Sequence, residues 1–387
     1  MKAAILGFGV VGSGTYEVLS KSPVKVDVKR ILDIRHDPLV ADKLTTDIND
    51  ILNDPEIELV AETMGGLHPA YEYVTAAMKA GKNVVTSNKK LVATYYAELI
   101  SLAEEKGVSF RFTPSAGGGI PWLSNIVHRA CTEKILKVQG IINGTTNFIL
   151  DSMQSRGADF SEVLAEAQDL GYAERDPSSD IDGEDVKFKC ALSASCAFGV
   201  QVSESDIPTF SLRNIKKDDM AYASKMGMNV KYMAFAANKG EGAFSAYVEP
   251  VFVPNNCLEA SVHLNNNFVS LFGEYSGRLS FFGQGAGKYP TGASVATDMI
   301  AIFKGKNFPV ICKGNGIVKN GEEFHRYYIR TTEKLAALCG LVETCEEKNG
   351  VFYIVTREIS VESMHKFADE IRKRDADVFF AGIHPEV

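Results

Sequence analysis

The apolar residues of the first 112 positions fall into short runs that alternate with longer segments of mixed polarity. Short apolar runs bounded by glycine or charged residues indicate buried strands, whereas the longer segments have the spacing of amphipathic helices. This alternation is typical of a parallel sheet with helices on its faces. The predicted strands cover 2–6, 24–33, 57–64, 83–86 and 108–112, and the predicted helices cover 11–19, 69–79 and 92–105.

After residue 133 the pattern changes. Longer apolar runs are separated by polar segments, which favours an open or mixed sheet, and a small β-α-β unit with an amphipathic helix follows near the end. The predicted strands cover 135–142, 230–237, 244–253, 267–274, 352–356 and 377–381, and the predicted helices cover 122–131, 160–170, 292–303 and 361–373.

Composition and charge narrow the function. The net charge of −8 leaves no general basic face for nucleic acid or anionic membranes. No apolar run approaches the ~20 residues of a membrane span, and glycines appear by position 7, where a signal peptide would keep an apolar core. We expect a cytoplasmic protein that acts on a small molecule, with no nucleic-acid or membrane partner.

The cysteines indicate neither disulfides nor a zinc site. The chain has seven, an odd number, and none forms a C-x-x-C pair. Cys190 and Cys196 are predicted to be small core residues.

The first predicted strand runs directly into a G-x-G-x-x-G pattern that opens a helix. Glycines at these positions permit a tight turn, close approach of a pyrophosphate to the backbone, and close packing of helix on strand. The phosphates would lie at the helix N-terminus. The sequence therefore predicts a dinucleotide site that includes Gly7, Gly9, Val10, Val11 and Gly12.

Together these patterns predict an α/β fold: a Rossmann-type doubly wound parallel sheet, an α/β substrate and dimerisation domain, and a small C-terminal β-α-β module. The dinucleotide-binding domain would span 1–133 and be completed by 283–305. The substrate-binding catalytic domain would span 134–282, and a separate C-terminal module would span 306–387.

The second predicted strand ends in Asp33, which follows Gly12 by 21 residues. An acid at this offset binds the ribose hydroxyls of NAD. Arg35 lies two residues further on and offers a site for the 2′-phosphate of NADP instead. Asp33 favours NAD, NADP stays open, and the alternative is a solvated turn without function.

Later segments add candidate contacts to the same ligand. Met64 and Gly65 end a strand where the backbone can approach a ligand, and Lys89 follows the end of another. A second glycine-rich segment containing Gly285 opens the helix that returns to this domain. Lys89 would also be unremarkable as an ordinary lysine near a helix start.

Asp185 and Lys189 stand four residues apart, at the boundary between an acidic loop and an almost uncharged stretch. On a helix they share one face. Desolvation would lower the pKa of such a lysine, whereas nearby acids, among them Glu174 and Asp180, would raise it. A lysine under these opposing influences can move protons near neutral pH. The alternative is an ordinary surface ion pair.

The chain resembles the homoserine dehydrogenase family over about its first 305 residues. The matching motifs are Gly7-x-Gly9-x-x-Gly12, Thr86-Ser87-Asn88-Lys89, Gly117-Gly118-Gly119-Ile120-Pro121, Asn143-Gly144-Thr145-Thr146-Asn147, Gly171-Tyr172-Ala173-Glu174 with Asp176-Pro177, Asp185 with Lys189, and Gly285-Ala286-Gly287 with Pro290-Thr291. The family is identified by seven motifs in one order.

The resemblance implies reversible NAD(P)H-dependent reduction of L-aspartate 4-semialdehyde to L-homoserine, a step in threonine, methionine and isoleucine biosynthesis. Lys189 matches the catalytic lysine that exchanges the proton, and Lys89 matches the lysine beside nicotinamide and substrate. Glu174, Asp185 and Thr145 match substrate contacts, and Asp180 is a further candidate. A homodimer is expected from the family.

The resemblance also suggests two features that this sequence alters. In the family, main-chain carbonyls matching Ala116, Gly118 and Ile120 help to hold a monovalent cation together with an acid, but Thr113 stands at the acid's position. Tight cation binding is therefore not expected. Residues 325–387 resemble only a short or divergent ACT domain, so feedback by threonine does not follow.

Two other hypotheses remain at this stage. A catalytically silent dinucleotide-binding regulator would keep the fold without needing both lysines and both acids. A dehydrogenase of a related amino-acid semialdehyde or imine would keep the chemistry with another substrate.

Overall fold

The computed structural model describes residues 1–306, 308–334 and 340–384. Cys339 lies outside these ranges. The helices are α1 (Val10–Lys21), α2 (Asn49–Leu52), α3 (Ala70–Lys79), α4 (Lys89–Thr94), α5 (Tyr96–Lys106), α6 (Trp122–Ala130), α7 (Gly144–Arg156), α8 (Phe160–Asp169), α9 (Ser178–Ile181), α10 (Glu184–Phe198), α11 (Lys217–Lys225), α12 (Lys288–Phe303) and α13 (Val361–Arg372).

The strands alternate with these helices in the first part of the chain and dominate the later part. They are β1 (Lys2–Leu6), β2 (Asp27–Leu32), β3 (Leu44–Thr45), β4 (Ile57–Glu62), β5 (Asn83–Thr86), β6 (Phe110–Arg111), β7 (Ile135–Ile141), β8 (Met228–Gly240), β9 (Ala243–Pro254), β10 (Asn266–Gly273), β11 (Gly277–Gln284), β12 (Ile317–Val318), β13 (Phe324–Thr331), β14 (Val342–Lys348), β15 (Val351–Thr356), β16 (Ile359–Ser360) and β17 (Phe379–Ile383).

The chain forms two compact units. The first contains Met1–Ile135, Ala191–Glu204 and Phe272–Asn315, and the second contains Leu136–Cys190, Ser205–Leu271 and Gly316–Val387. The predicted division into three functional domains stays a prediction, because compactness does not assign roles.

The first unit is built on a parallel sheet with the strand order β3-β2-β1-β4-β5-β6. The order reverses between β1 and β4, and ligands of such sheets bind at the carboxyl ends of the strands at this point. Ile5 and Leu59 are completely buried in its core, together with Val295 of α12. The predicted α/β class and Rossmann-type sheet are confirmed.

Helix α12 completes the helical layer of this unit beside α1, as predicted for the returning segment. A Cβ on Gly14 would lie 2.2 Å from the carbonyl oxygen of Lys288. The helix begins at Lys288 rather than at residue 292. Pro290 is compatible with this earlier start because the N–H it lacks has no partner in the first turn of a helix.

Two further local predictions are wrong in detail. The helix predicted over 92–105 is two helices, because Asn88 caps α4 early and Tyr95, with φ −115°, separates it from α5. The segment 277–284, for which no strand was predicted, is strand β11. Its glycines obscured the alternation of half-buried and exposed residues from Ser280 onward.

The second unit has a mixed sheet. β7, β8 and β9 pair antiparallel, β9 pairs parallel with β17, and β13 pairs antiparallel with both β17 and β15. The predicted C-terminal β-α-β order is present as β15, α13 and β17. The expectation of a separate module is wrong, because Gly382 and Ile383 pair with Val251 and Phe252 and join β17 to the same sheet. The resemblance to an ACT domain is not confirmed.

The interior of both units is apolar, and Cys190 and Cys196 lie within it as predicted. Burial raises the pKa of each of these thiols to about 12. Across the described ranges, no helix combines the length and apolar character needed to cross a membrane.

Candidate active site

The dinucleotide turn connects β1 to α1. Gly7 has φ +88°, in the left-handed region that favours glycine. A Cβ on Gly12 would lie 2.0 Å from the carbonyl oxygen of Gly7, so only glycine fits there without moving the backbone. α1 begins at Val10, and Val11 follows within its first turn, where the helix N-terminus favours an anion.

Gly9 has a different environment. Its φ of −79° suits any residue, and a Cβ there would meet nothing closer than the guanidinium of Arg35 at 3.5 Å. The space above Gly9 is therefore open, which is the condition for a pyrophosphate to approach the backbone. The turn fits a dinucleotide.

Asp33 lies directly after β2 beside this turn. Its carboxylate accepts hydrogen bonds from the backbone N–H of Phe8 at 2.6 Å and of Arg35 at 2.8 Å. The Arg35 guanidinium also donates to it, at 3.2 and 3.0 Å, and this pairing lowers the pKa of Asp33 to about 2. Asp33 is therefore ionised at neutral pH, and the Arg35 side chain is 68% exposed.

Glu62 connects the ends of β4 and β5 through hydrogen bonds. It was not predicted from the sequence as a site residue. It is fully buried, and its Oε1 accepts from the backbone N–H of Met64 at 2.7 Å and of Gly65 at 3.2 Å. Its Oε2 accepts from the hydroxyl of Thr86. Burial raises the pKa of Glu62, against these hydrogen bonds. The only sequence signal is an acid at the end of an apolar strand.

The same network fixes the segment before Lys89. The Asn88 amide donates to the carbonyl of Gly66 at 2.5 Å, while its oxygen caps α4 by accepting from Leu91 N–H at 3.1 Å. Lys89 is the first residue of α4 and is half-buried. Lys89 and the segment around Gly65 therefore belong to one hydrogen-bonded framework.

Gly285 lies where the returning chain contacts the glycine-rich segment 115–121. A Cβ on Gly118 would lie 2.3 Å from the Gly285 carbonyl oxygen, so these two backbones are in close contact. This places Gly285 in the first unit, as predicted.

Two of the three carbonyls considered for a cation already accept hydrogen bonds. The Gly118 carbonyl accepts from the Ser294 hydroxyl at 2.6 Å, and the Ile120 carbonyl accepts from Trp122 N–H at 2.7 Å. Ala116 is buried in the same segment. Within the described residues, no group of three or more His, Cys, Asp or Glu is arranged to hold a metal.

Thr113 donates its hydroxyl to Asp298 of α12 at 2.8 Å. The buried Asp298 carboxylate also accepts from Arg111 at 3.0 Å. Burial raises the pKa of Asp298, and the neighbouring Arg111 opposes this effect. The acid near this segment is thus bonded to an arginine and a threonine, so the donor set does not fit a tightly held cation and we assign no chemistry to one.

Asp185 and Lys189 lie on α10 in the second unit. Both are buried, at 7% and 8% exposure, so the alternative of a surface ion pair is wrong. The Lys189 ammonium donates to Asp185 Oδ2 at 2.7 Å and to the carbonyl of Ile142 at 2.8 Å. Gly183, with φ +80°, immediately precedes α10. A Cβ on this residue would lie 2.0 Å from the Tyr232 hydroxyl oxygen, so glycine leaves room for the tyrosine here.

Asn143 connects this pair to a further acid. The residue lies just before α7 and is 4% exposed. Its amide nitrogen donates to Asp180 Oδ1 at 2.7 Å and to Asp185 Oδ2 at 2.8 Å. Burial raises the pKa of Asp180, while Asn143 and Lys189 act in the opposite direction. In the sequence, Asn143 is distinguished only as the first residue of the motif Asn143-Gly144-Thr145-Thr146-Asn147.

The remaining acids and the threonine of this region have different environments. The Thr145 hydroxyl donates to the carbonyl of Tyr172 at 2.6 Å, and Glu174 lies in an exposed loop. Asp182, another acid of the same loop, accepts two hydrogen bonds from the Arg213 guanidinium, each at 2.6 Å. Asp182 therefore stabilises the loop, whereas Asp180 belongs to the cluster.

Comparisons with known proteins identify the family of this chain. A family model described as the NAD binding domain of homoserine dehydrogenase matches residues 7–113, and one described as homoserine dehydrogenase matches residues 121–300. The homoserine dehydrogenase of Synechocystis sp. is 40% identical over 316 residues, 78% of this chain and 73% of that protein. The Bacillus subtilis enzyme is 35% identical over 331 residues, 82% of this chain and 76% of that protein.

Among solved structures, the crystal structure of a homoserine dehydrogenase from Thiobacillus denitrificans superimposes with a TM-score of 0.88 at 29% identity. The match covers 99% of this chain and 98% of that one. A homoserine dehydrogenase from S. aureus matches over 100% of this chain with a TM-score of 0.77 and 26% identity. The chain therefore belongs to the homoserine dehydrogenase family, whose members are oxidoreductases that use NAD or NADP.

Proposed function

We propose that Lys189 is the residue that exchanges a proton with the carbinol oxygen when L-homoserine is oxidised reversibly to L-aspartate 4-semialdehyde. The observation that carries this role is a buried ammonium held by Asp185 and by the carbonyl of Ile142. A bound nicotinamide supplies the hydride acceptor or donor. In reduction, Lys189 gives its proton to the oxygen, and in oxidation the proton returns to it.

Asp185 then orients Lys189, because its Oδ2 accepts from both the lysine and Asn143. We assign the substrate ammonium to Asp180, a half-buried carboxylate that offsets the desolvation of a cation, and to Glu174 from the neighbouring loop. The Thr145 hydroxyl is already bonded to Tyr172, so its backbone N–H at the start of α7 is the group proposed to meet the substrate carboxylate.

For the cofactor we propose a preference for NAD. The support is Asp33, which stays ionised beside the turn, accepts hydroxyl donors and repels a 2′-phosphate. Arg35 pairs with this carboxylate instead of standing alone. Lys89 is assigned to the nicotinamide and substrate, as the resemblance implies.

We also propose a role for two of the predicted domains, a localisation and an oligomeric state. Residues 1–133 with 283–305 would bind the dinucleotide, and residues 134–282 would bind the substrate. We propose that the protein is cytoplasmic, as expected from its composition, and that it forms a homodimer, as the family resemblance implies.

The test is steady-state oxidation of homoserine with NAD and with NADP, using wild type and Lys189→Ala. Loss of the proton carrier is expected to lower kcat by about 10³-fold. Lys187→Ala on the same helix is the matched control and should retain wild-type kcat. A Lys189→Ala enzyme within threefold of wild type would refute the assigned role, and a larger kcat/KM with NADP than with NAD would refute the cofactor preference.

A further inference from the structure

Asn143 uses both ends of its side chain at once. Its oxygen accepts from Thr146 N–H at 2.8 Å and caps α7. Its nitrogen donates one hydrogen to Asp180 Oδ1 and the other to Asp185 Oδ2. An asparagine amide has two donors and one acceptor atom, and all three groups are engaged in a residue that is almost fully buried.

Two carboxylate oxygens therefore lie within 2.8 Å of a single nitrogen. Carboxylates this close disfavour each other's ionised state unless donors lie between them. One of the two oxygens, Asp185 Oδ2, is also the oxygen that accepts from Lys189. Movement of Asn143 would consequently move the partner of the lysine.

We propose that Asn143 is a positioning residue, which holds Asp180 and Asp185 together as ionised carboxylates and thereby fixes Lys189 for proton transfer. This inference rests on the proposed role of Lys189 and deepens it. Asn143 does not touch the reacting atoms. It acts through Asp185, and its second carboxylate partner is the acid assigned to the substrate ammonium.

The side chain at position 143 has to satisfy two requirements. A helix cap needs a short acceptor, which Asp, Ser and Thr also supply. The cluster needs two donors, which those residues lack. Asparagine meets both requirements, and this is the chemical reason for an amide at this place.

Three charged side chains of the described residues are bonded to the amide or to its direct partners. α9 contributes Asp180, and α10 contributes Asp185 and Lys189, while α7 contributes the uncharged hydroxyl of Thr145. Loss of the donors would make both acids easier to protonate. The acidic limb of the pH profile of kcat/KM should therefore move to higher pH.

Asn143→Asp and Asn143→Ser separate the cap from the donors, because both retain a capping oxygen. We expect Asn143→Asp, which adds a third negative charge, to lower kcat about 100-fold and to move the acidic limb upward by about one pH unit. Asn143→Ser keeps one donor, so its kcat should fall about tenfold with a smaller shift of the limb. Circular dichroism and urea midpoints report whether each variant folds.

Ser360→Ala is the control for a purely structural effect, since Ser360 caps α13 in the same unit. It should lower the urea midpoint and leave the pH profile unchanged. An upward shift of the limb in either folded Asn143 variant, with none in Ser360→Ala, supports the proposal. If the Asn143 variants change only the urea midpoint, the proposal is overturned.

Lys189→Ala separates the two levels of the argument. If Lys189→Ala is inactive while both Asn143 variants keep the wild-type profile, only the role of Asn143 is refuted. If Lys189→Ala is active, the proposed function itself fails. Should Asn143→Asp not fold, Asn143→Ser alone decides, because its cap and one donor remain.

Discussion

The turn after β1 is a site formed by backbone groups, whereas the cluster around Lys189 is a site formed by side chains. In the turn, the backbone itself forms the site, and Gly7 and Gly12 make room for it. In the cluster, side chains form the site, and Asn143 links acids from α9 and α10. The backbone site depends on the spacing of glycines within the six residues 7–12, whereas the side-chain site depends on tertiary contacts between segments that are distant in sequence.

Substitutions in the turn test the backbone side of this comparison and should have the largest effect. Gly12→Ala places a Cβ 2.0 Å from the Gly7 carbonyl, so the turn has to move. We expect the free energy of unfolding to fall by roughly 1–3 kcal/mol. The KM for the dinucleotide should rise by more than about 100-fold, because small displacements of bound groups are costly. Urea unfolding and initial rates measure both quantities.

Gly9→Ala is the matched control, because its Cβ has no neighbour within 3.4 Å in the free protein. Its free energy of unfolding should stay within about 0.5 kcal/mol of wild type. The KM for the dinucleotide should nevertheless rise, because the methyl group occupies the space for the pyrophosphate. Equal loss of stability in the two variants would show that the glycines do not have separate roles.

The same contrast explains what the sequence predicts. The parallel sheet follows from alternating apolar runs, and the turn follows from glycine spacing, since both are local patterns. The break at Tyr95 was mispredicted because the Asn88 cap starts α4 early, and the strand Gly277–Gln284 was mispredicted because its glycines obscure the alternation of half-buried and exposed residues. The pairing of β17 with β9 joins residues more than a hundred positions apart, which no local pattern encodes.

In the candidate site, Asp185 and Lys189 are visible because one helical turn separates them. Their burial is not visible, since Ile142 and Asn143 reach them from another segment. Glu62 is a similar case: its partners Met64 and Gly65 are close in sequence, but Thr86 comes from the next strand. The residues that organise a site are therefore harder to predict than those that perform its chemistry.

Glu62 provides the next test, since it is a side chain that organises a backbone site. In Glu62→Gln, the amide oxygen can still accept from Met64 and Gly65, but an NH₂ group replaces the oxygen that accepts from Thr86. Loss of one hydrogen bond, worth about 1–1.5 kcal/mol, should raise the KM for the dinucleotide about five- to tenfold. Initial rates at varied dinucleotide concentration measure this.

Glu259→Gln is the control for burial alone. Glu259 is also fully buried, but it lies in the second unit, where it accepts from Gln139 at 2.7 Å. Its substitution should leave the KM for the dinucleotide unchanged. An unchanged KM in Glu62→Gln as well would mean that the strand ends keep their geometry without this carboxylate.

The last test concerns a second buried lysine and measures stability rather than catalysis. Lys231 on β8 is 2% exposed, and it donates to the Val262 carbonyl at 2.6 Å and to the Asn147 oxygen at 3.3 Å. These acceptors are neutral, whereas Lys189 donates to a carboxylate. Burial lowers the pKa of Lys231 to about 8, and the more distant Asp151 only partly opposes this.

A folded pKa below the unfolded value means that the unfolded chain binds more protons between about pH 8 and pH 10.4. The penalty for the charged lysine is therefore complete below pH 8 and is relieved as pH rises. Between pH 7.5 and 9.5, the free energy of unfolding of wild type should rise by roughly 2 kcal/mol relative to Lys231→Met, which cannot titrate. If the free energies of unfolding of the two proteins change equally with pH, Lys231 keeps its charge through neutral hydrogen bonds alone and the lowered pKa is refuted.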